Sequence, residues 1–174
     1  MISFDHIDRN YDTARKGFAQ DIPETFNFSF DVLDVRAREA DKDALIAVNG
    51  ATGDRRVVRY SDISANSSKF AKALMQLGLA RGDAACVVIG RIPEWYSVLF
   101  GCMKAGIISM PGTNLLTAKD IAYRVNQAGA KAVIVTLEHC EKVDAIFAEC
   151  PTLQHMIVIG DATGDWLSFQ TLCA

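Results

Sequence analysis

The sequence lacks most of the features that place a protein quickly. Its five cysteines, Cys86, Cys102, Cys140, Cys150 and Cys173, are odd in number and far apart, with no C-x-x-C pair among them. Neither a disulfide framework nor a thiol-based redox or zinc motif is indicated, and reduced, mostly buried thiols are expected. The three histidines, His6, His139 and His155, share no ligand-like spacing with those cysteines, so no metal site is expected. Basic charge is not in excess. With 18 Lys and Arg against 21 Asp and Glu, a net charge of -3 leaves no cationic face for a phosphate backbone, which excludes nucleic acid as a partner. The most apolar long stretch, residues 95–111, is broken by Lys104 and Gly106 and falls short of the roughly 20 residues of a membrane span. Asp5, Asp8, Arg9, Asp12, Arg15 and Lys16 interrupt the N-terminus, leaving no apolar core for a secretory signal, and a cytoplasmic protein is expected. Phosphate-cradling glycine motifs are missing too: there is no G-x-x-x-x-G-K-[ST] and no G-x-G-x-x-G, and the late pair Gly160 and Gly164 has no lysine nearby.

What is present is apolar and periodic. Half of the 174 residues are hydrophobic, and a chain of that size buries roughly two-thirds of its unfolded surface, enough for a core. From Ala44 onward, short β-branched runs alternate with helix-length amphipathic segments, the pattern of an α/β fold: a partial three-layer αβα arrangement around a mostly parallel sheet. Residues 1–43 do not share it and are set apart as an N-terminal arm, partly helical; residues 44–174 form the α/β subdomain.

Residues 44–48 and 56–60 bracket Asn49-Gly50 and Gly53-Asp54, which predicts a hairpin. Ser61 is expected to cap a helix that buries Ile63, Phe70, Leu74 and Leu77 and ends at Gly78. The run 84–89 reads as a strand buried on both faces. Pro93 suits the first helical position and Glu94 the positive end of the helix dipole, with Trp95, Val98, Leu99 and Cys102 as the apolar stripe up to Gly106. A short strand over 107–110 follows. Thr117 with Asp120 resembles a capping box for a helix carrying Ile121 and Val125 to Gly129. Residues 132–136 form another buried strand, Cys140, Val143, Phe147 and Cys150 a helical stripe ending at Pro151, and residues 155–159 a further strand. The tail from Trp166 to Ala174 is expected to start a final helix.

With these elements placed, several tracts resemble one family in order. Tyr60-Ser61-Asp62, Leu77-Gly78 and Arg81-Gly82-Asp83 resemble the opening strand-helix-strand unit of the AMP-forming, or adenylate-forming, acyl-CoA synthetases. The more specific match is Arg91-Ile92-Pro93-Glu94-Trp95, then Gly101-Cys102-Met103-Lys104-Ala105-Gly106, then Met110-Pro111-Gly112-Thr113, with Lys119-Asp120-Ile121 and Tyr123-Arg124 extending it. These look most like the medium-chain branch. The resemblance runs from about Phe30 to the C-terminus and implies the N-terminal subdomain of the adenylate-forming fold.

The resemblance implies a two-step reaction. A fatty or aromatic carboxylate attacks the α-phosphorus of ATP with loss of pyrophosphate, and the CoA thiol then displaces AMP. ATP, Mg and CoA are the implied cofactors and co-substrates of the full-length family. The Ser/Thr/Gly-rich loop with lysine that such chemistry needs for its phosphates, and the family's C-terminal lysine, are missing here, so no bound cofactor and no catalytic residue are expected of this chain, and Ala174 reads as a truncation point. The alternative is a stand-alone, non-catalytic α/β binding module; a stand-alone nucleotide-binding enzyme is weakest, since no phosphate-cradling loop follows any predicted strand.

Individual residues favour bland roles. Trp95 is expected in the core rather than on a pocket wall. Arg91 and Glu94 suit a solvated loop or a pair at i, i+3, and Cys102 has no adjacent base to make it a nucleophile. The strongest candidate is the loop Thr113, Asn114 and Leu115, which leaves the C-terminal end of a predicted parallel strand. By resemblance it borders the CoA tunnel, although Leu115 stands where the family has a polar residue, and Gly112 and Thr113 equally suit a plain turn. Segments that a larger domain would cover leave apolar surface here, so self-association is expected.

Overall fold

The hairpin signal is the first to resolve in the computed structural model, which describes residues 10–19, 23–39 and 42–174. The charged positions Asp5, Asp8 and Arg9, on which the reading of the N-terminus partly rests, lie outside these. A short helix α1 (Tyr11–Gly17) is followed by a π-helical turn, Ser29–Leu33, that runs into α2 (Asp34–Glu39). Strands β1 (Asp43–Val48) and β2 (Arg55–Arg59) then pair antiparallel, with Leu45 opposite Val58. Asn49 closes the turn by accepting from the Ala51 and Thr52 N–H groups at 2.9 and 3.3 Å, and Gly53 takes the left-handed φ of 76° that a side chain would resist.

The long helix α3 (Tyr60–Gln76) starts ahead of the Ser61 cap expected from sequence. The Asp62 carboxylate reaches back to the Arg59 N–H at 2.9 Å, which moves the cap to Arg59 and leaves Ser61 inside the helix. After it come β3 (Ala84–Val88), α4 (Glu94–Ala105), β4 (Ile108–Pro111), α5 (Ala118–Ala128) and β5 (Ala132–Thr136). Thr117 and Asp120 form the expected reciprocal cap, with Asp120 Oδ2 accepting from the Thr117 N–H at 2.9 Å and Thr117 Oγ1 accepting from the Asp120 N–H at 3.3 Å.

The stripe through Cys140 and Phe147 does not make one helix. Helix α6 (Cys140–Asp144) is a short piece between 3-10 turns at Leu137–His139 and Phe147–Glu149. The tighter turns bury Val143, Ile146 and Cys150 and leave Phe147 41% exposed. Strand β6 (His155–Ile159) follows as expected. The tail then departs from the sequence reading: β7 (Leu167–Ser168) precedes α7 (Phe169–Leu172), because Ser168 Oγ ties back to the Gly160 carbonyl at 2.9 Å and its backbone joins the edge of β6.

The five strands of the main sheet run in the order β4-β3-β5-β6-β7, every neighbouring pair parallel. One face is covered by α3, α4 and α7 through Phe70, Leu74, Val98, Cys102 and Phe169, the other by α5 and α6 through Ile121, Val125 and Val143. The architecture is α/β in three layers with a fully parallel main sheet. The chain crosses from β4 over to β5 on the far side of β3, so the loops after β3 and β5 leave toward opposite faces, the arrangement that opens a crevice at the carboxyl ends of doubly wound sheets.

The N-terminal segment is strapped to α4. Ser29 Oγ donates to the Phe100 carbonyl at 3.2 Å and Asn27 Nδ2 to the Met103 carbonyl at 2.9 Å, while Leu33 packs with Val58 and Ile63 in a third apolar cluster.

All five cysteines are free thiols. Burial pushes the Cys102 thiol up to about 12, well away from nucleophilic use. His139, at the carboxyl end of β5, is 3% exposed, and neither ring nitrogen has a hydrogen-bond partner among the described residues. Desolvation, with the nearby Lys142 cation, lowers its affinity for a proton; Glu138 works weakly the other way. In the unfolded chain the ring takes up a proton near the ordinary value of about 6.5, so below that pH the unfolded state binds more protons and folding stability falls. Asp83 and Asp120, whose carboxyls are lowered by hydrogen bonds from Ala80 and Thr117, lose their contribution only in a more acid range. Stability is therefore expected to drop by on the order of 1 kcal/mol between pH about 7.5 and 5.5, and His139→Leu to flatten that slope. Urea midpoints across this range, parallel in both proteins, would refute the assignment.

Candidate functional site

At the carboxyl edge of the sheet, β3 gives way to the loop through Gly90 and Arg91, and β4 to the loop through Gly112, Thr113 and Asn114. Between them opens a cavity of about 690 Å³, closed on its other side by residues 45–48 of β1 and by Trp95 and Tyr96 at the start of α4. It lies on the carboxyl edge, the side on which open parallel sheets place their ligands, one strand over from the crossing point between β3 and β5. The two loops touch across the gap: a Cβ on Gly90 would come within 3.1 Å of Asn114 Nδ2.

The loop after β4 is held at both ends by cations. Arg124 Nη2 donates to the Pro111 carbonyl at 3.1 Å, and Lys142 Nζ to the Leu116 carbonyl at 2.9 Å. Inside it the chain coils tightly. Thr113 accepts from the Leu115 N–H through Oγ1 at 3.3 Å and from the Leu116 N–H through its carbonyl at 3.2 Å, and a Cβ on Gly112 would lie 2.6 Å from Leu116 Cδ1. Thr113 is thus a turn residue and also a cavity wall, beside Asn114. Leu115 does not line the cavity and is 87% exposed.

Two sequence expectations change here. Glu94 pairs with Arg56 of β2 at 2.7 Å instead of Arg91, because the hairpin folds over the N-terminus of α4. Arg91 is left exposed at the cavity wall. Trp95 is only half-buried: it packs against the core, sets its ring edge-on to Tyr96 at 5.3 Å, and also lines the cavity. The β1 wall was not foreseen. Its one signal is that Ile46 and Val48 are apolar on the face opposite Leu45, which a solvated hairpin does not need.

The long helices offer no free positive end: Asp62 caps α3, Asp120 caps α5, and Glu94 stands in the first turn of α4. Asp62 and Asp120 would oppose an anion at the one place a helix attracts it, whereas Glu94 is paired with Arg56. Among the described residues no helix is long and apolar enough to cross a membrane.

Comparison with known proteins gives this geometry its context. The chain is 38% identical over 161 residues to the human mitochondrial acyl-coenzyme A synthetase ACSM2A and 39% over 159 residues to human mitochondrial ACSM5, covering 88% and 87% of this chain. It spans 28% and 27% of those relatives' lengths. Among solved structures, an anthranilate CoA ligase, AuaEII, crystallised with anthranoyl-AMP, superposes with a TM-score of 0.76 at 26% identity over 88% of this chain and 29% of that one. These relatives correct the cytoplasmic expectation. They are named mitochondrial and point to mitochondria instead; a missing apolar core excludes only a secretory signal and says nothing about organelle import. A family model for AMP-binding enzymes matches residues 33–171, and the chain belongs to that family, sharing most of its length with the family's acyl-CoA synthetases.

Proposed function

We propose that the chain is the N-terminal portion of an AMP-forming acyl-CoA ligase that joins a fatty or aromatic carboxylate to CoA with conversion of ATP to AMP and pyrophosphate, and that this portion has no ligase activity by itself. The observation that carries the reading is the cavity at the carboxyl edge, whose two loops are built from the tracts that match the family, Arg91 to Trp95 and Met110 to Thr113. In this reading Thr113 and Asn114, with the Arg91 cation, which has no ion-pair partner among the described residues, form one wall of the channel for CoA, and Leu115 flanks its mouth. The carboxylates at the starts of the long helices support the inactivity: without donors converging on the phosphates, neither ATP nor its Mg ion is held, and the positioning and charge stabilisation that drive such transfers are missing. Ile46, Val48, Leu115 and Tyr123 expose apolar surface that fits association with further ligase sequence or a second copy.

Carboxylate-dependent exchange of pyrophosphate into ATP, with octanoate or benzoate as acid, is the direct test. The chain alone is expected to show no exchange above a protein-free control. Robust exchange would overturn the inactivity; binding of CoA unaffected by Asn114→Ala and Arg91→Ala would overturn the channel wall.

A further inference from the structure

The turn between β1 and β2 carries chemistry that the cleft does not use. Asn49 is the one asparagine of the chain that a glycine follows. The backbone nitrogen after an asparagine can attack the side-chain amide carbon and close a cyclic imide, and a side chain on that next residue crowds the approach. Glycine removes the crowding and supplies the backbone freedom that ring closure needs. Both Asn49 and Gly50 are exposed, and a Cβ on Gly50 would meet nothing within 4 Å, so water and the moving backbone have room.

The same turn aims donors at the amide. Asn49 Oδ1 accepts from the Ala51 and Thr52 N–H groups at 2.9 and 3.3 Å. When nitrogen adds to Cγ, negative charge develops on that same oxygen, and two fixed backbone donors stabilise it there. The turn that carries them is itself held: the Asn49 N–H donates to the Asp54 carbonyl at 2.9 Å, the Gly53 N–H to the Asn49 carbonyl at 2.8 Å, and the Thr52 hydroxyl to Asp54 Oδ2 at 2.6 Å. Asn66 is the contrast. Its neighbour Ser67 is also small, but both lie within α3, where helical dihedrals keep the Ser67 nitrogen from the amide and commit its N–H to the helix ladder.

We propose that Asn49 is a site of spontaneous deamidation assisted by its own turn. The Gly50 nitrogen bonds to Cγ, the side-chain nitrogen leaves as ammonia with the proton that the Gly50 nitrogen gives up, and water then opens the imide. Opening at Cγ gives aspartate, which keeps an acceptor for the Ala51 and Thr52 N–H groups. Opening at the main-chain carbonyl carbon gives isoaspartate, which routes the chain through the side chain, lengthens it by a methylene and leaves the former carbonyl of residue 49 as a free carboxylate. That turn no longer matches the register that sets Val48 opposite Arg55 and Ile46 opposite Val57. Residues 45–48 wall the cleft, so the isoaspartyl form has a different wall. The reaction needs only water, and it stands whether or not the cleft takes CoA.

Ageing the folded chain in mildly alkaline buffer, followed by tryptic mass spectrometry, reads both asparagines at once, Asn49 in the peptide 43–55 and Asn66 in the peptide 60–69. Asn49 is expected to convert about tenfold or more faster than Asn66, with isoaspartate as the main product, and Gly50→Ala, for which there is space, to slow it by a similar factor. A synthetic peptide of residues 43–55, which lacks the fixed donors, is expected to convert more slowly than the folded chain. Amide exchange along β1 is expected to quicken in the isoaspartyl fraction and to stay unchanged in Asn49→Asp, whose backbone is normal. Equal rates at Asn49 and Asn66, or a Gly50→Ala chain that converts as fast, would overturn the site. A free peptide that outpaces the folded chain would overturn the assistance from the turn, and unaltered exchange in the isoaspartyl fraction would overturn the change in the cleft wall.

Discussion

Replacing Lys104 with alanine is expected to cost about 3–5 kcal/mol of folding stability. The Lys104 side chain is only 2% exposed, although it belongs to an otherwise ordinary amphipathic helix. Its ammonium donates to Asp34 Oδ1 at 2.7 Å, to Ser68 Oγ at 2.8 Å and to the Ser64 carbonyl at 3.2 Å, and it sits 5.6 Å from the centre of the Phe30 ring. Three donors thus find three acceptors, and the cation ties α4 to α3 and to the N-terminal segment at once. Removing it strands the Asp34 carboxylate, whose side chain is 15% exposed and keeps only the Ser64 hydroxyl at 2.7 Å. Against a total stability of about 5–15 kcal/mol, that loss would leave the arm and helix pair marginal. Urea unfolding reads it directly. The double replacement Lys104→Met with Asp34→Leu should recover most of the loss, since the cost of the single change is an unpaired buried charge more than a lost attraction. A single-variant loss below about 1 kcal/mol would mean that water reaches Asp34 and that the pair is a surface one.

Much of the fold was legible because its signals are local. The strands over 84–88, 132–136 and 155–159 are continuous apolar runs, and such runs have no solvated face to offer anything but the centre of a sheet. The cap at Thr117 and Asp120 needs only residues three apart, and Gly106 and Gly129 end their helices by taking left-handed φ values of 70° and 59°. What the sequence hid depends on distant pairs. Nothing near Phe147 announces that the helix over it breaks; the break follows from Asn126 holding the Glu149 carbonyl at 3.0 Å and Trp166 holding Asp144 at 2.9 Å. Strand β7 is two residues long and exists only because β6 offers it an edge.

The candidate site divides the same way. Thr113 and Asn114 could be placed at a strand's carboxyl end from pattern alone, and resemblance joined them to the tract at Arg91. That β1 forms the opposite wall, and that Arg56 draws Glu94 away from Arg91, required the hairpin's position over α4, which no spacing encodes.

Phe70→Ala is the second large loss expected, about 3–5 kcal/mol, and its coupling to Gly101 makes it more than a measure of core burial. Phe70 is fully buried between α3, α4 and α7, its ring tilted against that of Phe169 at 5.0 Å. Gly101 of α4 faces it. A glycine in a helix interior is worth about 1 kcal/mol less than alanine, so Gly101→Ala would stabilise the chain if space allowed. Space does not allow it: a Cβ there would stand 2.8 Å from Phe70 Cδ1 and 3.1 Å from the Ser67 carbonyl oxygen. The ring can shift only into packed neighbours and the carbonyl only with α3, so the change is expected to cost about 1–3 kcal/mol in the native background. With Phe70 already reduced to alanine the 2.8 Å contact disappears while the Ser67 carbonyl at 3.1 Å and the Cβ of residue 70 at 3.2 Å remain, so Gly101→Ala should cost clearly less than in the native background without becoming favourable. The double-mutant cycle is then expected to give a coupling of about 1–3 kcal/mol in favour of the pair. Additive losses would show that the Ser67 carbonyl and the Cβ of residue 70 set the approach of the two helices, with the Phe70 ring a passive filler of the space they leave.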